Sequence, residues 1–224
     1  MLTAALFDMD GLLVDSEPLW REAEVRVFGA HGLPVTEADC ATTSGLRIDE
    51  VVAHWKVHFD AAALETGPLV DEIVEELIGL VRAKASAKPG VEQALERCAS
   101  RGLAIALASS SSSRIIDAVL ETLAIGARFR ERVSAEGLPF GKPHPEVFLH
   151  TARTLAVEPR ACVVFEDSIF GVIAAKAARM TCVAVPDDHQ RGDARYALAD
   201  ATLATLEDVT LELFDRLARE RGAR

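Results

Sequence analysis

The sequence lacks the features that would place this protein in a membrane, outside the cell or on nucleic acid. No apolar run approaches the ~20 residues that a bilayer-spanning helix needs, so we expect no membrane partner. No basic segment precedes the first apolar run, which predicts the absence of a signal peptide. The net charge of −11 argues against general affinity for nucleic acid or for anionic membrane surfaces.

The cysteine content is also low and follows no motif. Four cysteines occur among 224 residues, and none of them has CxxC spacing. Cys162 and Cys182 lie within apolar, strand-like runs and are predicted to be buried thiols. Half of the residues are hydrophobic and about a quarter are charged, which is typical of a globular protein. We therefore predict a reduced, cytoplasmic protein. Separately, we expect a monomer.

Two closely spaced carboxylates after the first apolar run are the most informative feature of the sequence. Residues 2–7 are apolar enough to form a buried parallel strand, and Asp8-Met9-Asp10-Gly11 follows at once. Residues i and i+2 of an extended segment point to the same side, so both carboxylates should project from the carboxyl end of this strand. Ligands of open α/β sheets bind at that edge. Two like charges this close favour a nearby cation or a shared proton, and Gly11 permits a turn that other residues resist.

The rest of the sequence divides into a helical interval and a region of alternating strands and helices. Residues 16–85 show helical patterns, with a start signal at Ser16, and contain no clear buried strand. Further on, helical patterns alternate with strand-like runs at 103–108, 133–135, 161–165 and 181–185. This alternation predicts an α/β fold with a parallel sheet, right-handed crossovers and a helical insertion after the first strand. The predicted boundaries are 1–15 and 86–224 for the core.

Further polar groups occur where the predicted sheet would bring them beside Asp8. Ser109 follows the second strand directly and begins a Ser-rich turn before a helix, where hydroxyls and free amides can hold phosphate oxygens. Lys142 is a cation in a loop that two prolines stiffen. Glu166-Asp167 ends a later strand and again places acids at a carboxyl edge. Such a set of oxygen donors suits Mg²⁺.

These groups, in this order, resemble the four motifs of the haloacid dehalogenase-like superfamily. The motifs here are Asp8-Met9-Asp10-Gly11, Ser109, Lys142 and Glu166-Asp167. The helical insertion resembles the cap of the beta-phosphoglucomutase-like branch. The stretches 8–20, 45–49 and 142–145 are most similar to bacterial hexitol and 2-deoxyhexose 6-phosphate phosphatases. The resemblance implies a Rossmann-like core, an inserted helical cap and a phosphatase that acts on small sugar phosphates.

The resemblance also implies how the candidate residues act. Asp8 would attack phosphorus and form an aspartyl phosphate, while Asp10 would protonate the leaving oxygen and later activate water. Lys142 would neutralise the nucleophile and the phosphoryl group. Ser109 and the Ser110 amide would hold phosphate oxygens.

A magnesium ion is the cofactor that the resemblance implies. Asp8, the backbone carbonyl of Asp10 and Asp167 would bind the ion. Glu166 would contact it as well or stand directly behind it. The cap would close over this site and exclude bulk water.

Two predicted substrate contacts lie outside these motifs. Glu17 is predicted to contact sugar hydroxyls, although an acidic residue also favours a helix start for structural reasons. Arg47, within Gly45-Leu46-Arg47, is predicted to face the substrate from a cap loop; an exposed helix position is the alternative. Trp20 is predicted to pack rather than to stack on a sugar.

The expected substrate is a hexose or hexitol 6-phosphate, including 2-deoxyglucose 6-phosphate. Beta-phosphoglucomutase carries a histidine at about the position of Trp20 and a lysine at about that of Ser44, and their absence favours hydrolysis over mutase activity. A mutase-type phosphotransferase is the nearest alternative. The second alternative is a noncatalytic phosphosugar-binding protein. The Asp8/Asp10 pair argues against it, because binding needs no nucleophile and acid together.

Overall fold

A six-stranded parallel sheet lies at the centre of the computed structural model, which describes residues 1–43, 45–187 and 190–222. The strands are β1 (Ala4–Phe7), β2 (Ala104–Ser109), β3 (Glu131–Ser134), β4 (Cys162–Glu166), β5 (Thr181–Ala184) and β6 (Ala201–Thr202). Their order across the sheet is β3-β2-β1-β4-β5-β6. The predicted α/β fold is confirmed, and β1 lies between β2 and β4. Ser44, which entered the comparison with mutases, lies outside the described residues.

The central strands are apolar because both faces of the sheet are covered. Every residue of β1 and β4 is buried. Neighbouring residues of β1 enter different apolar clusters, with Phe7 on one face and Leu6 on the other. The Phe7 ring stacks on the ring of Phe165 in β4, with centroids 4.6 Å apart. These two residues are register partners, so the carboxyl ends of β1 and β4 lie side by side.

Helices cover the sheet and fill the predicted insertion. In the described residues they are α1 (Glu17–Ala30), α2 (Glu37–Cys40), α3 (Ile48–His58), α4 (Thr66–Lys84), α5 (Val91–Ser100), α6 (Ser113–Thr122), α7 (Glu146–Thr154), α8 (Ile169–Ala177) and α9 (Leu211–Gly222). The first four occupy the interval 16–85, whose described residues form no strand. The helix α4 packs on α6, and Ile73 and Ile115 belong to one apolar cluster. The division into core and cap at these boundaries stays a prediction.

Two short elements, α2 and β6, did not emerge from the sequence. They contain four and two residues, too few for a periodic pattern to develop. Cys162 and Cys182 are buried thiols, as predicted. Among the described helices, none combines the length and the apolar character that crossing a bilayer requires.

Candidate active site

The strand register brings the predicted motifs to one edge of the sheet. Asp8 follows β1 directly, while Ser109 and Glu166 are the last residues of the two flanking strands. Phe7 pairs with Leu107 of β2 and with Phe165 of β4, so the three carboxyl ends stop at nearly the same level. Asp8, Asp10, Ser109, Ser110, Lys142 and Asp167 line one cavity at this edge, together with residues of α1 and of the following cap loop.

Lys142 is a buried cation between two carboxylates. Its Nζ lies 2.6 Å from Oδ1 of Asp8 and 2.5 Å from Oε1 of Glu166. Its side chain is 2% exposed. Burial alone would lower the pKa of Lys142, but the two adjacent carboxylates outweigh this effect and raise the pKa above its ordinary value. The ammonium group therefore stays charged and partly neutralises the acids around it.

Three carboxylates crowd around one point beside this lysine. Asp8, Glu166 and Asp167 each offer an oxygen, and these oxygens lie within 4.8 Å of one another. Burial raises the pKa of Asp8 to about 7, with Lys142 acting in the opposite direction. Burial, followed by repulsion from Glu166, also raises the pKa of Asp167 well above its usual range. Acids that resist ionisation in this way are suited to a divalent cation, which would favour their charged forms.

Glu166 differs from the other two acids because protein donors already occupy both of its oxygens. Oε1 accepts from Lys142, and Oε2 accepts from the backbone N–H and the hydroxyl of Ser168, each at 3.0 Å. The residue is completely buried. Asp8 and Asp167 are therefore better suited than Glu166 to direct contact with an ion.

The carboxylate of Asp10 points away from this cluster and is held by hydrogen bonds. Oδ1 accepts from the Ser16 hydroxyl at 2.7 Å and from the Trp20 indole N–H at 3.0 Å. Oδ2 accepts from the Ser111 hydroxyl at 2.6 Å, and the Ser109 hydroxyl lies 3.4 Å away. Asp10 thus has a fixed orientation inside the cavity. The predicted contact of its backbone carbonyl with a metal ion stays a prediction.

The structure reveals contacts of Ser16 and Trp20 with Asp10 that the sequence did not predict. Ser16 precedes α1 at the predicted helix start, yet its hydroxyl makes no capping bond, since it donates to Asp10 instead. Trp20 packs against the apolar cluster as predicted, and its N–H adds a second donor. The i,i+4 spacing of Ser16 and Trp20 was the available signal, because it places both on one helix face.

The serine turn presents one unpaired hydroxyl, that of Ser110, to the cavity. The hydroxyl oxygen of Ser110 is buried and has no hydrogen-bond partner among the described residues. Ser109 is completely buried, and its Oγ accepts from the backbone N–H of Ser111 at 3.0 Å. This turn leads directly into α6. An acceptor oxygen of an anion would satisfy this unpaired hydroxyl.

The two residues predicted to contact substrate, Glu17 and Arg47, differ in where the structure places them. Glu17 lines the cavity, and its carboxylate lies 3.6 Å from Nη1 of Arg21. Arg47 points elsewhere: its guanidinium donates to the carbonyl oxygen of Leu138 at 2.8 Å and pairs with Asp49 at 2.7 Å. It thereby links the start of α3 to the loop that contains Leu138. The predicted contact of Arg47 with substrate would require it to leave these partners.

Gly11 makes the close approach of two acidic segments possible. Its φ is +74°, a left-handed conformation that residues with a Cβ rarely adopt. A Cβ at this position would lie 2.2 Å from Oδ2 of Asp167. The turn predicted from the sequence is confirmed, and it also leaves space for a carboxylate from another strand.

Comparisons with known proteins agree with this geometry. A family model described as haloacid dehalogenase-like hydrolase matches residues 2–179. Hexitol phosphatase B of Escherichia coli is 40% identical over 210 residues, covering 93% of this chain and 95% of the relative. Fructose-1-phosphate phosphatase of the same species is 32% identical over 183 residues, covering 80% and 94%.

Solved structures share the whole fold. CbbY from Rhodobacter sphaeroides, in complex with phosphate, superposes with a TM-score of 0.85 at 25% identity, covering 93% of this chain and 96% of that one. Beta-phosphoglucomutase from Clostridium difficile superposes over the full length of both chains with a TM-score of 0.88 at 23% identity. The chain therefore belongs to the haloacid dehalogenase-like hydrolase family, and within it the chain groups with the phosphatases.

Proposed function

We propose that this protein is a Mg²⁺-dependent phosphatase that hydrolyses hexose or hexitol 6-phosphates, including 2-deoxyglucose 6-phosphate, through an aspartyl phosphate. One observation carries the proposal: Asp8 lies against a buried cation, while the differently held carboxylate of Asp10 faces the same cavity. A nucleophile and a proton carrier are needed side by side for this reaction. The names of the phosphatase relatives support the choice of a phosphorylated sugar or polyol.

The reaction proceeds in two steps, phosphoryl transfer to Asp8 and hydrolysis of the aspartyl phosphate. An oxygen of Asp8 attacks phosphorus, the bond from phosphorus to the ester oxygen breaks, and Asp10 gives its proton to that oxygen. The sugar or polyol then leaves. Next, water attacks the phosphorus of the aspartyl phosphate while Asp10 takes up a proton from it. The bond from phosphorus to Asp8 breaks, which releases inorganic phosphate and restores both acids.

The fixed position of each group supports its proposed role. Lys142 offsets the negative charge of Asp8 and of the arriving phosphoryl group. Ser109 and Ser110 hold phosphate oxygens, and Glu17 contacts a hydroxyl of the substrate. Since Trp20 holds Asp10 through a nitrogen that does not ionise, the direction of the Asp10 carboxylate does not depend on the protonation of a neighbour.

Asp8, Asp167 and the backbone carbonyl of Asp10 would hold Mg²⁺, with Glu166 behind them. The ion would supply positive charge to the phosphoryl oxygens. Substrate positioning and proton transfer are left to the side chains described above. A cytoplasmic monomer that acts on a small substrate, without nucleic acid or membrane, stays our prediction.

A phosphate-release assay tests the proposal. With Mg²⁺ present and no bisphosphate added, we expect inorganic phosphate from hexitol and hexose 6-phosphates, and we expect chelation of the metal to stop its release. A colorimetric assay over a panel of sugar and polyol phosphates measures both effects. An enzyme that strictly required a bisphosphate activator and yielded an isomerised sugar phosphate would instead be a mutase.

Replacing Gly11 with alanine tests the proposed metal ligand Asp167. The added methyl group would displace the Asp167 carboxylate, so we expect the Mg²⁺ concentration for half-maximal phosphate release to rise roughly 10- to 100-fold. Gly32→Ala is a matched control, because Gly32 has a φ of +76° and nothing within 4 Å of an added Cβ. Both variants bear the same backbone strain. An equal Mg²⁺ requirement in the two variants would contradict the assignment of Asp167.

A further inference from the structure

One buried carboxyl group in the cavity has no task in the proposed reaction. Glu24 lies on α1 and is 6% exposed, yet it lines the same cavity as Asp8 and Asp10. Its Oε2 is buried and has no hydrogen-bond partner among the described residues. An unpaired buried carboxyl oxygen costs stability, so its presence calls for an explanation. A ligand that supplies a donor would provide one.

The position of Glu24 on α1 relates it to the reacting centre. Glu17, Trp20, Arg21 and Glu24 follow the spacing i, i+3, i+4 and i+7, and all four line the cavity. Trp20 attaches this row of residues to the reacting centre, because its indole N–H donates to the carboxylate of Asp10. Glu24 lies one helical turn beyond Trp20, roughly 6 Å along the axis. It is therefore placed to contact a part of the substrate remote from the phosphate ester.

The surroundings of Glu24 favour a neutral hydroxyl as its partner. Leu46, Ile48 and Val51 contribute apolar surface to the cavity near this helix. Burial raises the pKa of Glu24 to about 7, and a hydrogen bond with the Cys40 thiol only partly offsets the effect. A hydroxyl can donate to the charged carboxylate and can also pair with the neutral acid.

We propose that Glu24 is a specificity-determining residue that binds a hydroxyl group on the part of the substrate remote from its phosphate. This inference rests on the proposed function and refines its substrate class. The site selects phosphorylated polyols or sugars long enough for a hydroxyl group to reach Glu24, which lies one helical turn beyond Trp20. Compounds without a hydroxyl there leave Oε2 of Glu24 unpaired and gain no affinity from it.

Two substrates and three variants test this inference. We would compare kcat/KM for sorbitol 6-phosphate with kcat/KM for p-nitrophenyl phosphate, which carries no hydroxyl group. Glu24→Leu removes the acceptor, so the ratio of the two values should fall roughly 10- to 100-fold. Glu24→Gln keeps an acceptor oxygen and should restore most of the ratio. Glu22→Leu is the control, since Glu22 faces Lys84 on another side of α1 and should leave the ratio as in the wild type.

Thermal unfolding separates recognition from a structural role. Glu24→Leu removes a buried carboxyl oxygen that has no partner among the described residues and gives up only the bond with the Cys40 thiol, so its Tm should equal or exceed that of the wild type. A lower Tm with a parallel loss of both activities would assign Glu24 a purely structural role and overturn the inference, as would an unchanged ratio. Wild-type inactivity on both substrates would overturn the proposed function instead. The Glu24 comparison would then be made on the affinity for sorbitol 6-phosphate relative to inorganic phosphate, where an unchanged ratio would again overturn it.

Discussion

Asp8→Asn should reduce phosphate release by about 10⁴-fold or more, the scale of loss seen when a catalytic nucleophile is removed. An amide is a very poor nucleophile, so no aspartyl phosphate should form. The substitution keeps the size of the side chain and removes one charge from the crowded group of acids. The fold should therefore survive. The measurement is kcat for a hexitol 6-phosphate with saturating Mg²⁺, together with Tm.

Asp15→Asn is the matched control for this substitution. Asp15 lies on the same segment, but its side chain is half exposed and its nearest cation, Lys88, is 3.9 Å away. We expect near wild-type turnover from this variant. Retention of more than a few per cent of activity by Asp8→Asn would contradict the nucleophile assignment. A wild-type protein that bound sugar phosphate without releasing phosphate would support the noncatalytic alternative.

Replacing Lys142 with methionine should affect both activity and stability. The change removes the cation that contacts Asp8 and Glu166 and leaves buried acids without that neutralising charge. Breaking a buried ion pair from one side costs about 3–5 kcal/mol, which corresponds to a Tm lower by on the order of 10 °C. Turnover should fall roughly 10³-fold, because the phosphoryl group loses a preorganised positive charge.

The stability loss in Lys142→Met should depend on pH with a defined sign. A carboxyl group whose pKa is raised in the folded state contributes stability at low pH and loses it as pH rises through the folded pKa. For Asp8 that pKa is about 7 even with Lys142 present, and it rises when the cation is removed. The difference in Tm from the wild type should therefore be larger at pH 8 than at pH 5.

Lys88→Met provides the control for the lysine substitution. Lys88 also faces two carboxylates, those of Asp15 and Asp187, but at 3.9 and 3.7 Å and with a quarter of its side chain exposed. Surface pairs of this kind contribute little, so we expect a small change in Tm. Equal losses of Tm in the two variants, or a pH trend of the opposite sign, would contradict the electrostatic account of Lys142.

The sequence predicted the strands that carry the site, because strand formation depends on local patterns of apolar residues. The apolar run that became β1 ends at Asp8, and the run that became β4 ends at Glu166. Parallel strands buried on both faces require such runs, and parallel pairing brings their carboxyl ends to one edge. The order of Asp8, Ser109, Lys142 and Glu166 along the chain was therefore enough to predict their proximity. Gly11 was recognisable because few residues adopt its conformation.

The contacts between distant side chains could not be predicted, because they depend on how the helices α1 to α4 pack beside the sheet. Ser16 looked like a helix cap, and only the tertiary structure directs its hydroxyl to Asp10. Arg47 is predicted to contact substrate, and only the tertiary structure shows that its guanidinium donates to the carbonyl oxygen of Leu138. Packing buries Glu24 on α1, which no pattern in the sequence indicated.

The sequence by itself thus determined the α/β sheet and the edge where the acids meet. Hydrophobic periodicity and strand direction are properties of short segments, and they carry this information. The tertiary structure alone decided which oxygen each donor reaches and which polar atoms stay unpaired. Those outcomes depend on distances of a few ångströms between segments far apart in the chain, which no local pattern specifies.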